Sequence, residues 1–348
     1  MRLSFATVSG NWKGRGMLMN RQEDIAVLTK VSLARNLRDY PFPGKLNEHG
    51  KKAVNSLVWE ALKEADPPFS YIVMDKLSGE EAVSLAEQYL ASAEFVADRK
   101  HKSILMRKEG EVSVMLNEED HLRIQVIRPG LDLDGAWRTA DGLDSFLDKQ
   151  LVYAFDKRLG YLTQCPDHLG TGLRAIVVLH LPALQENGVV GRLAANLSKL
   201  GISLRAVYPE GSASKGAMYH LSNRGTLGLS EEEALQNLQA ITTQLAQQER
   251  SAREAIRRDL EILDAVGRSL GILQGARLLS LEEFMHLISN VRLGISLGVI
   301  DNISYEQVNA LLIKAQPATL MQQAGRKLSL TEQESKRAEL VKQLLGKR

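Results

Sequence analysis

The first two thirds of the chain alternate short apolar runs with polar turns. These runs are rich in β-branched and aromatic residues, as is typical of strands. Seven segments carry the pattern: 70–79, 103–116, 122–127, 151–163, 174–181, 202–208 and 217–222. The second has Glu109-Gly110 at its centre, which predicts a hairpin turn.

Helices are predicted at about 50–65, 79–90 and 142–158, and at 190–200 before Gly201. Strands often follow one another without an intervening helix. The pattern therefore indicates an α+β fold and argues against a doubly wound parallel sheet.

The pattern changes at Ser230, which forms a capping box with Glu233 and opens 37 residues without Gly or Pro, up to Val266. Serines at 280, 304 and 329 carry the same signature with Glu283, Gln307 and Glu332. Apolar residues recur at helical spacing: Leu235, Leu238, Ile241, Leu245, Ile256, Leu260 and Leu263. We therefore divide the chain into domains at 1–229 and 230–348, the second all-α. Burial of this stripe inside a helical bundle and burial in a homodimer interface both remain open.

Composition excludes several classes of protein. The chain has 348 residues, 44% of them hydrophobic, and a net charge of +2, which argues against nucleic-acid or membrane-surface binding. Its single cysteine, Cys165, excludes an internal disulfide and a multi-cysteine metal cluster, and it fits the reducing cytoplasm. No apolar run is long enough to span a bilayer. The histidines show no metal-ligand spacing, so we expect no metal site.

The densest polar cluster is 117–123, NEEDHLR, directly after a strand-like run. Its acids fit a solvated turn, but they also fit a carboxylate that orients a cationic substrate and accepts its proton. A second segment, 165–174, reads CPDHLGTGLR, and its glycines would allow backbone amides to approach an anion. Arg35, Arg123, Arg174 and Arg205 are either surface charges or, if they converge, a polyphosphate site.

These segments together resemble the ATP:guanidino phosphotransferases, and among them the bacterial protein arginine kinases of the McsB type. The resemblance is carried by NEEDHLR, by the cysteine loop and by LARNLRDYPFP at 33–43. VVLHLPAL, YHLSNRGTLGLSEEE, NVRLGISLGVI and LLIKAQPATLMQQAGRKLS extend it to nearly the whole chain.

The resemblance implies a catalytic domain with a curved antiparallel sheet flanked by helices, and a helical C-terminal domain that dimerises. It implies transfer of the γ-phosphoryl group of Mg-ATP to arginine side chains of proteins, by positioning and electrostatics. It further implies a cytoplasmic homodimer with Clp-type quality-control partners.

The resemblance also assigns roles by position. Glu119 matches the catalytic carboxylate, and Cys165 matches the cysteine on the substrate side. ATP-binding positions correspond to Thr29, Lys30, Ser32, Tyr89, Arg123, Arg174, Ala175, Ile176, Val177, Val178, Arg205, Ala206, Val207, Tyr208, Pro209 and Glu210. A remnant of the phosphoarginine-binding motif corresponds to Gln333, Glu334, Arg337 and Ala338.

Several of these positions depart from the family pattern. Lys30 and Ser32 replace two phosphate-binding arginines; lysine keeps the charge without the planar fork, and serine loses both. Tyr89 replaces a histidine, Ala213 replaces a second carboxylate, and Asp167-His168 replaces the usual Thr/Ser-Asn.

Two functions follow. One is a protein arginine kinase with weakened activity and weak Mg-ATP binding, in which Glu210 stands in for the lost carboxylate. The other is an inactive pseudokinase that acts as a dimeric adaptor or regulator in protein quality control.

Overall fold

An eight-stranded antiparallel sheet forms the centre of the molecule. The structure is a computed structural model that describes residues 22–107, 110–210 and 213–346. The strands of this sheet are β1 (Ala26–Arg35), β2 (Phe69–Val73), β3 (Ser103–Arg107), β4 (Val112–Leu116), β5 (Leu122–Pro129), β8 (Leu173–His180), β9 (Ile202–Ala206) and β12 (Met218–Asn223). Their order across the sheet is β2-β3-β4-β5-β1-β8-β12-β9. Two short hairpins lie outside it: β6 (Phe155–Asp156) with β7 (Gly160–Tyr161), and β10 (Pro209–Glu210) with β11 (Ala213–Ser214). The predicted α+β class is confirmed.

The sequence patterns located most strands. β3 and β4 pair as the predicted hairpin, although Glu109 of its turn lies outside the described residues. The pattern did not predict β1, which runs through the middle of the sheet between β5 and β8. Lys30 and Ser32 interrupt its apolar run, because one face of β1 carries polar side chains.

Among the described residues before 231, the α-helices are α1 (Glu48–Leu62), α2 (Gly79–Glu87), α3 (Ala93–Ala97), α4 (Leu133–Asp148), α5 (Pro182–Glu186) and α6 (Val190–Lys199). The prediction of a helix at 142–158 is wrong in position. The helix begins nine residues earlier, where Asp132 Oδ1 accepts a hydrogen bond from the backbone N–H of Gly135 at 3.1 Å. Gly142, at which the predicted helix begins, lies in the interior of α4, and no described atom lies within 4 Å of an added Cβ there.

The prediction of one helix from Ser230 to Val266 is also wrong. The chain forms α7 (Glu231–Ile256) and then, after a break, α8 (Leu260–Gly275). Asp259 caps α8 by accepting a hydrogen bond from the backbone N–H of Glu261 at 2.9 Å. The other helices are α9 (Leu281–Ser296), α10 (Tyr305–Lys314), α11 (Pro317–Ala324) and α12 (Leu330–Leu345). The predicted serine caps are confirmed: Ser230, Ser280, Ser304 and Ser329 each accept a hydrogen bond from the third residue of their helix.

Two hydrophobic clusters cover the two faces of the sheet. One joins the sheet to α1, α4, α6 and α7, and it includes Leu235, Leu238, Ile241 and Leu245. The apolar stripe of α7 is therefore buried against the sheet. The other cluster joins the opposite face of the sheet to α2, α3, α8, α9, α10 and α12. Helices from both parts of the sequence thus flank the face that carries the site.

Among the described residues, no helix combines the length and the apolar character that a membrane span requires.

Candidate active site

Strand register places a row of cations on one face of the sheet. In β1, Ser32 lies opposite Arg174 of β8 and opposite Gln125 of β5, and Ala34 lies opposite Arg123. Arg205 of β9 lies opposite His220 of β12. Side chains of directly paired residues point to the same face, so Lys30, Ser32, Arg123, Arg174, Arg205 and His220 share one side of the sheet. The opposite side of the sheet packs against the cluster that includes α1, α4, α6 and α7.

Lys30 lies in the middle of this row. Burial, together with the charges of Arg123 and Arg174, lowers the pKa of Lys30 to about 8. At pH 7 the ammonium group therefore still carries its charge, although its neighbours disfavour it. Burial also lowers the pKa of Arg174, and the nearby Arg123 and Arg205 lower it further. Cations crowded onto one face in this way would be stabilised by a bound anion.

Two carboxylates balance the charge of Arg123 at one end of the row. The guanidinium of Arg123 forms an ion pair with Glu118 at 2.9 Å and lies 3.6 Å from a carboxylate oxygen of Glu119. Glu118 is held in turn by the hydroxyl of Ser92. Arg123 therefore has a fixed orientation between the cation row and the acidic segment.

Some residues of the NEEDHLR segment stabilise the local fold, and others face the site. Asp120 is fully buried, and its Oδ1 accepts hydrogen bonds from Asn36 Nδ2 at 2.6 Å and from the backbone N–H of Gln164 at 2.9 Å. His121 Nδ1 accepts the backbone N–H of Leu37 at 3.0 Å. These bonds tie the segment to the end of β1 and to the loop that precedes Cys165. The same turn leaves Glu119 reaching outwards, with 39% of its side chain exposed.

The pKa of Glu119 is raised above its usual range. Burial is the main cause, the neighbouring charge of Asp120 adds to it, and Arg123 opposes it. A carboxylate with a raised pKa is a stronger base, which suits abstraction of a proton.

The cysteine loop depends on glycine. Gly172 has a φ of +66°, and a Cβ there would lie 2.5 Å from the backbone oxygen of Ala34 and 2.7 Å from Arg35 Nη1. The loop can therefore lie against β1 only where this residue has no side chain. A short 3-10 turn, Pro166–His168, follows Cys165, and the thiol of Cys165 is partly exposed.

The loop and the acidic segment meet at three side chains. A carboxylate oxygen of Glu119, Sγ of Cys165 and a ring nitrogen of His168 all lie within 4.8 Å of one another. The structure thus brings together the two predicted catalytic residues, Glu119 and Cys165, from segments about 45 residues apart. Burial, with the charges of Arg123 and Arg174, lowers the pKa of His168 to about 4.

Some predicted ATP-binding positions do not reach this face. Thr29 is fully buried on the opposite side of β1, where its hydroxyl donates to the backbone oxygen of Gly130 at 2.7 Å. Ala175 and Val177 belong to the apolar core, whereas Ile176 and Val178 alternate with them and lie on the cation face. Arg35 also lies on the core side, in a two-pronged ion pair with Asp144.

Tyr89 and Tyr208 border the cation face on another side. The ring of Tyr89 contacts His220 edge to face, with 6.0 Å between ring centroids. The hydroxyl of Tyr208 accepts a hydrogen bond from Gln316 Nε2 at 3.1 Å, so this segment contacts the C-terminal helices. The charge of Tyr208 and, above all, burial raise the pKa of Tyr89.

The segment after β9 turns back in the β10–β11 hairpin. Arg205 is exposed, Ala206 pairs with Tyr219, and the backbone N–H of Val207 donates to the oxygen of Met218 at 3.0 Å. Pro209 and Glu210 pair with Ser214 and Ala213. The Glu210 side chain, Gly211 and Ser212 lie outside the described residues, so the replacement of a second carboxylate by Glu210 stays a prediction.

The motif remnant in α12 is largely structural. The guanidinium of Arg337 is buried and donates to the backbone oxygens of Ala315 at 2.8 Å and Leu279 at 2.7 Å. Ala338 is buried, and Gln333 Nε2 donates to the oxygen of Leu328. Glu334 accepts the backbone N–H of Leu279 through its own carbonyl oxygen. In the structure, these residues connect α12 to the segments packed against it.

Sequence reasoning missed three side chains of the site. In the sequence Glu118 is only one of three adjacent acids, yet it holds Arg123. His168 stands out in the sequence only as a replacement in the cysteine loop. His220 carried no signal beyond its place in a predicted strand, and only the pairing of β12 with β9 brings it beside Arg205.

Comparison with known proteins identifies the family of this site. A family model described as "ATP:guanido phosphotransferase, C-terminal catalytic domain" matches residues 50–252. This chain belongs to the ATP:guanido phosphotransferase family. A second model, "Protein-arginine kinase McsB C-terminal domain", matches residues 258–348, so the two matches meet at the break between α7 and α8.

Curated relatives within the family are similar over almost their full length. A protein-arginine kinase of Halothermothrix orenii is 40% identical over 328 residues, which cover 93% of this chain and 94% of that protein. One from Clostridium acetobutylicum is 37% identical over 340 residues, covering 96% and 99%. The predicted recognition of the McsB type is confirmed.

Solved structures of guanidino kinases share the fold. A duplicated taurocyamine kinase from Schistosoma mansoni superposes with a TM-score of 0.61 at 23% identity, over 74% of this chain and 38% of that chain. A lombricine kinase superposes with a TM-score of 0.58 at 24% identity, over 67% and 68%. Both confirm the predicted guanidino kinase fold.

Proposed function

We propose that this protein transfers the γ-phosphoryl group of Mg-ATP to arginine side chains of proteins, with a rate weakened by the residues at positions 30, 32 and 213. The observation that carries the proposal is the row of cations on one sheet face, with Glu119 and Cys165 at its end. The names of the curated relatives, protein-arginine kinases, support the choice of acceptor.

The cation row fits a polyphosphate. Lys30, Arg123, Arg174 and Arg205 lie on one face of the sheet. Burial and then repulsion from neighbouring cations lower the pKa values of Lys30 and Arg174, and a multiply charged anion would relieve that repulsion. Mg²⁺ in phosphotransferases is held largely by substrate phosphates and water. Bound Mg-ATP would supply the phosphoryl group, and the cations would hold it in line with the acceptor.

The acceptor end requires a group that binds a guanidinium and takes its proton. Glu119 is positioned for both, because it is exposed at the end of the cation row and its pKa is raised. Cys165 lies on the facing loop, with its Sγ within 4.8 Å of a carboxylate oxygen of Glu119. Because Ala213 cannot bind a guanidinium, the acceptor is clamped by fewer carboxylates than the family pattern provides.

The substituted positions argue for slow turnover. Ser32 lies in the cation row, but its hydroxyl donates to the backbone oxygen of Arg174 at 3.2 Å instead of offering a charge. Loss of one preorganised donor to developing charge costs about 10²–10³ in rate. The second candidate, a pseudokinase that acts as a dimeric adaptor in protein quality control, rests on this same observation, and Clp-type partners belong to both proposals. The need for ATP and the reduced thiol of Cys165 favour a cytoplasmic location.

The test is phosphoarginine formation on an arginine-rich basic protein with Mg-ATP, measured by mass spectrometry. We expect product at a rate about 10²-fold below that of a relative with arginine at both substituted positions. Glu119→Gln should abolish product, whereas Arg192→Ala, an exposed change on α6, should not. Lys30→Arg with Ser32→Arg should raise the rate. ATP binding without phosphoarginine, in wild type and in the restored variant, would favour the pseudokinase.

We also propose a homodimer through the outer face of α8. The stripe of α7, on which the prediction of a dimer first rested, is buried against the sheet. On α8, Leu260 is 79% exposed, and Gly267 and Gly271 follow on the same face with no described atom close to an added Cβ. Such a surface allows two helices to approach closely.

Light scattering at micromolar concentration should therefore give the mass of a dimer. Gly271→Gln should give a monomer without unfolding, because glutamine has the higher helix propensity. Ala240→Gln, exposed on α7, is the matched control and should leave the dimer intact. A monomeric wild type would contradict the proposal.

A further inference from the structure

Three metal-ligand types converge where the acidic segment meets the cysteine loop. A carboxylate oxygen of Glu119, Sγ of Cys165 and a ring nitrogen of His168 lie within 4.8 Å of one another. Glu119 follows β4, whereas Cys165 and His168 lie at either end of the 3-10 turn before β8. Asp120 fixes the two segments together through its bonds to Asn36 and to the backbone of Gln164.

His168 has no partner that explains its burial. Only 7% of the residue is exposed, and neither ring nitrogen has a hydrogen-bond partner among the described residues. Leaving a buried polar group unsatisfied costs about 1–3 kcal/mol. An imidazole nitrogen that faces a thiol and a carboxylate would be satisfied by a shared cation.

We propose that Glu119, Cys165 and His168 form a binding site for a zinc-class divalent metal ion. Thiolate and imidazole together select zinc over Mg²⁺ or Ca²⁺, which prefer all-oxygen ligands. Tetrahedral zinc at bond lengths of about 2.0–2.3 Å requires donor atoms about 3.5 Å apart. Because the donor atoms lie at most 4.8 Å apart, side-chain rotations would need to close at most roughly 1.3 Å, with the backbone of both segments in place. A fourth position stays open for water.

The balance of charge permits a metal ion beside the cation row. On binding, the thiol of Cys165 releases its proton to solvent as the metal–sulfur bond forms, and Glu119 contributes a second negative charge. The filled site is then formally neutral, so it adds no net charge next to Arg123 and Arg174. Arg123 keeps its own counter-charge, because Glu118 pairs with it at 2.9 Å.

The metal would compete with the acceptor. This consequence rests on the proposed function, in which Glu119 binds the guanidinium. A metal ion held by Glu119 and Cys165 would remove both from the acceptor site, so zinc would act as an inhibitor competitive with the arginine substrate. Binding of the metal itself does not depend on the kinase activity.

The direct test is competition for Zn²⁺ between the full-length protein, with Cys165 reduced, and a chromophoric chelator. We expect one ion per chain, with affinity at least tenfold weaker in His168→Asn. His220→Asn is the matched control, because His220 also has a buried, unpartnered ring nitrogen on this side of the sheet but lies outside the trio. Equal loss in both variants, or equal binding by His168→Asn and wild type, would overturn the proposal.

Co²⁺ provides a second readout that does not depend on any variant. The wild-type protein should show a thiolate-to-cobalt charge-transfer band and the strong visible bands of tetrahedral cobalt, and Zn²⁺ should displace both. Absence of the charge-transfer band would exclude Cys165 as a ligand and overturn the proposal. If the metal binds but arginine phosphorylation is absent altogether, the proposed kinase function fails while the metal site stands.

Discussion

Replacement of Arg174 by methionine tests two effects of the cation row separately: its contribution to Mg-ATP affinity and its effect on the stability of the fold. Arg174 lies in β8 opposite Ser32, half-buried between Arg123 and Arg205. Methionine keeps the apolar stem and removes the guanidinium. A charge-assisted hydrogen bond contributes about 1.5–3 kcal/mol, so we expect affinity for Mg-ATP to fall by roughly 10- to 160-fold.

The same replacement of Arg174 should not reduce the thermal stability of the unliganded protein. The lowered pKa of Arg174 means that the folded protein disfavours its charged form, because the group is buried beside other cations. Removing that charge should leave the melting temperature of the unliganded protein unchanged or raise it. The backbone oxygen of Arg174, which accepts the hydroxyl of Ser32, remains in place.

Calorimetric titration with Mg-ATP and differential scanning calorimetry measure the two effects. Arg192→Met, an exposed arginine on α6, is the control and should alter neither. The reasoning is refuted if Arg174→Met binds Mg-ATP as tightly as wild type while its melting temperature falls, because that combination describes a structural arginine rather than a phosphate ligand.

Two further outcomes follow from the site and its loop. Because Lys30 has a pKa of about 8 in the fold, Mg-ATP affinity measured by calorimetry should fall between pH 7 and pH 9 as the ammonium loses its proton, whereas Lys30→Arg should show little change. The folded pKa lies below the usual 10.5, so this residue destabilises the fold below pH 8, and that cost disappears as pH rises from 8 towards 10.5. Gly172→Ala should lower the free energy of unfolding by more than about 3 kcal/mol, because the methyl group meets the backbone of β1. Gly201→Ala, at φ +72° with open space around it, should cost only about 1–2 kcal/mol; equal losses in chemical denaturation would show that the close contact is relieved.

Much of the fold was predictable because local patterns carry it. Short apolar runs located β5, β8 and β12, and serine caps located α7, α9, α10 and α12. The boundaries failed where local signals misled. The helix predicted from residue 142 begins at Leu133, after the cap at Asp132, and the stretch from Ser230 to Val266, predicted as one helix, contains a break that Asp259 caps.

Sequence alone determined the candidate chemistry, since NEEDHLR and the cysteine loop are contiguous motifs that name Glu119, Cys165, Arg123 and Arg174. It did not determine which side chains meet. Whether Ile176 or Val177 faces the cations depends on strand register, and register is set by pairing between distant segments. The convergence of Glu119 with His168, and of Arg205 with His220, arises in the same way. Only the tertiary structure decides these contacts, because they join residues that no local pattern connects.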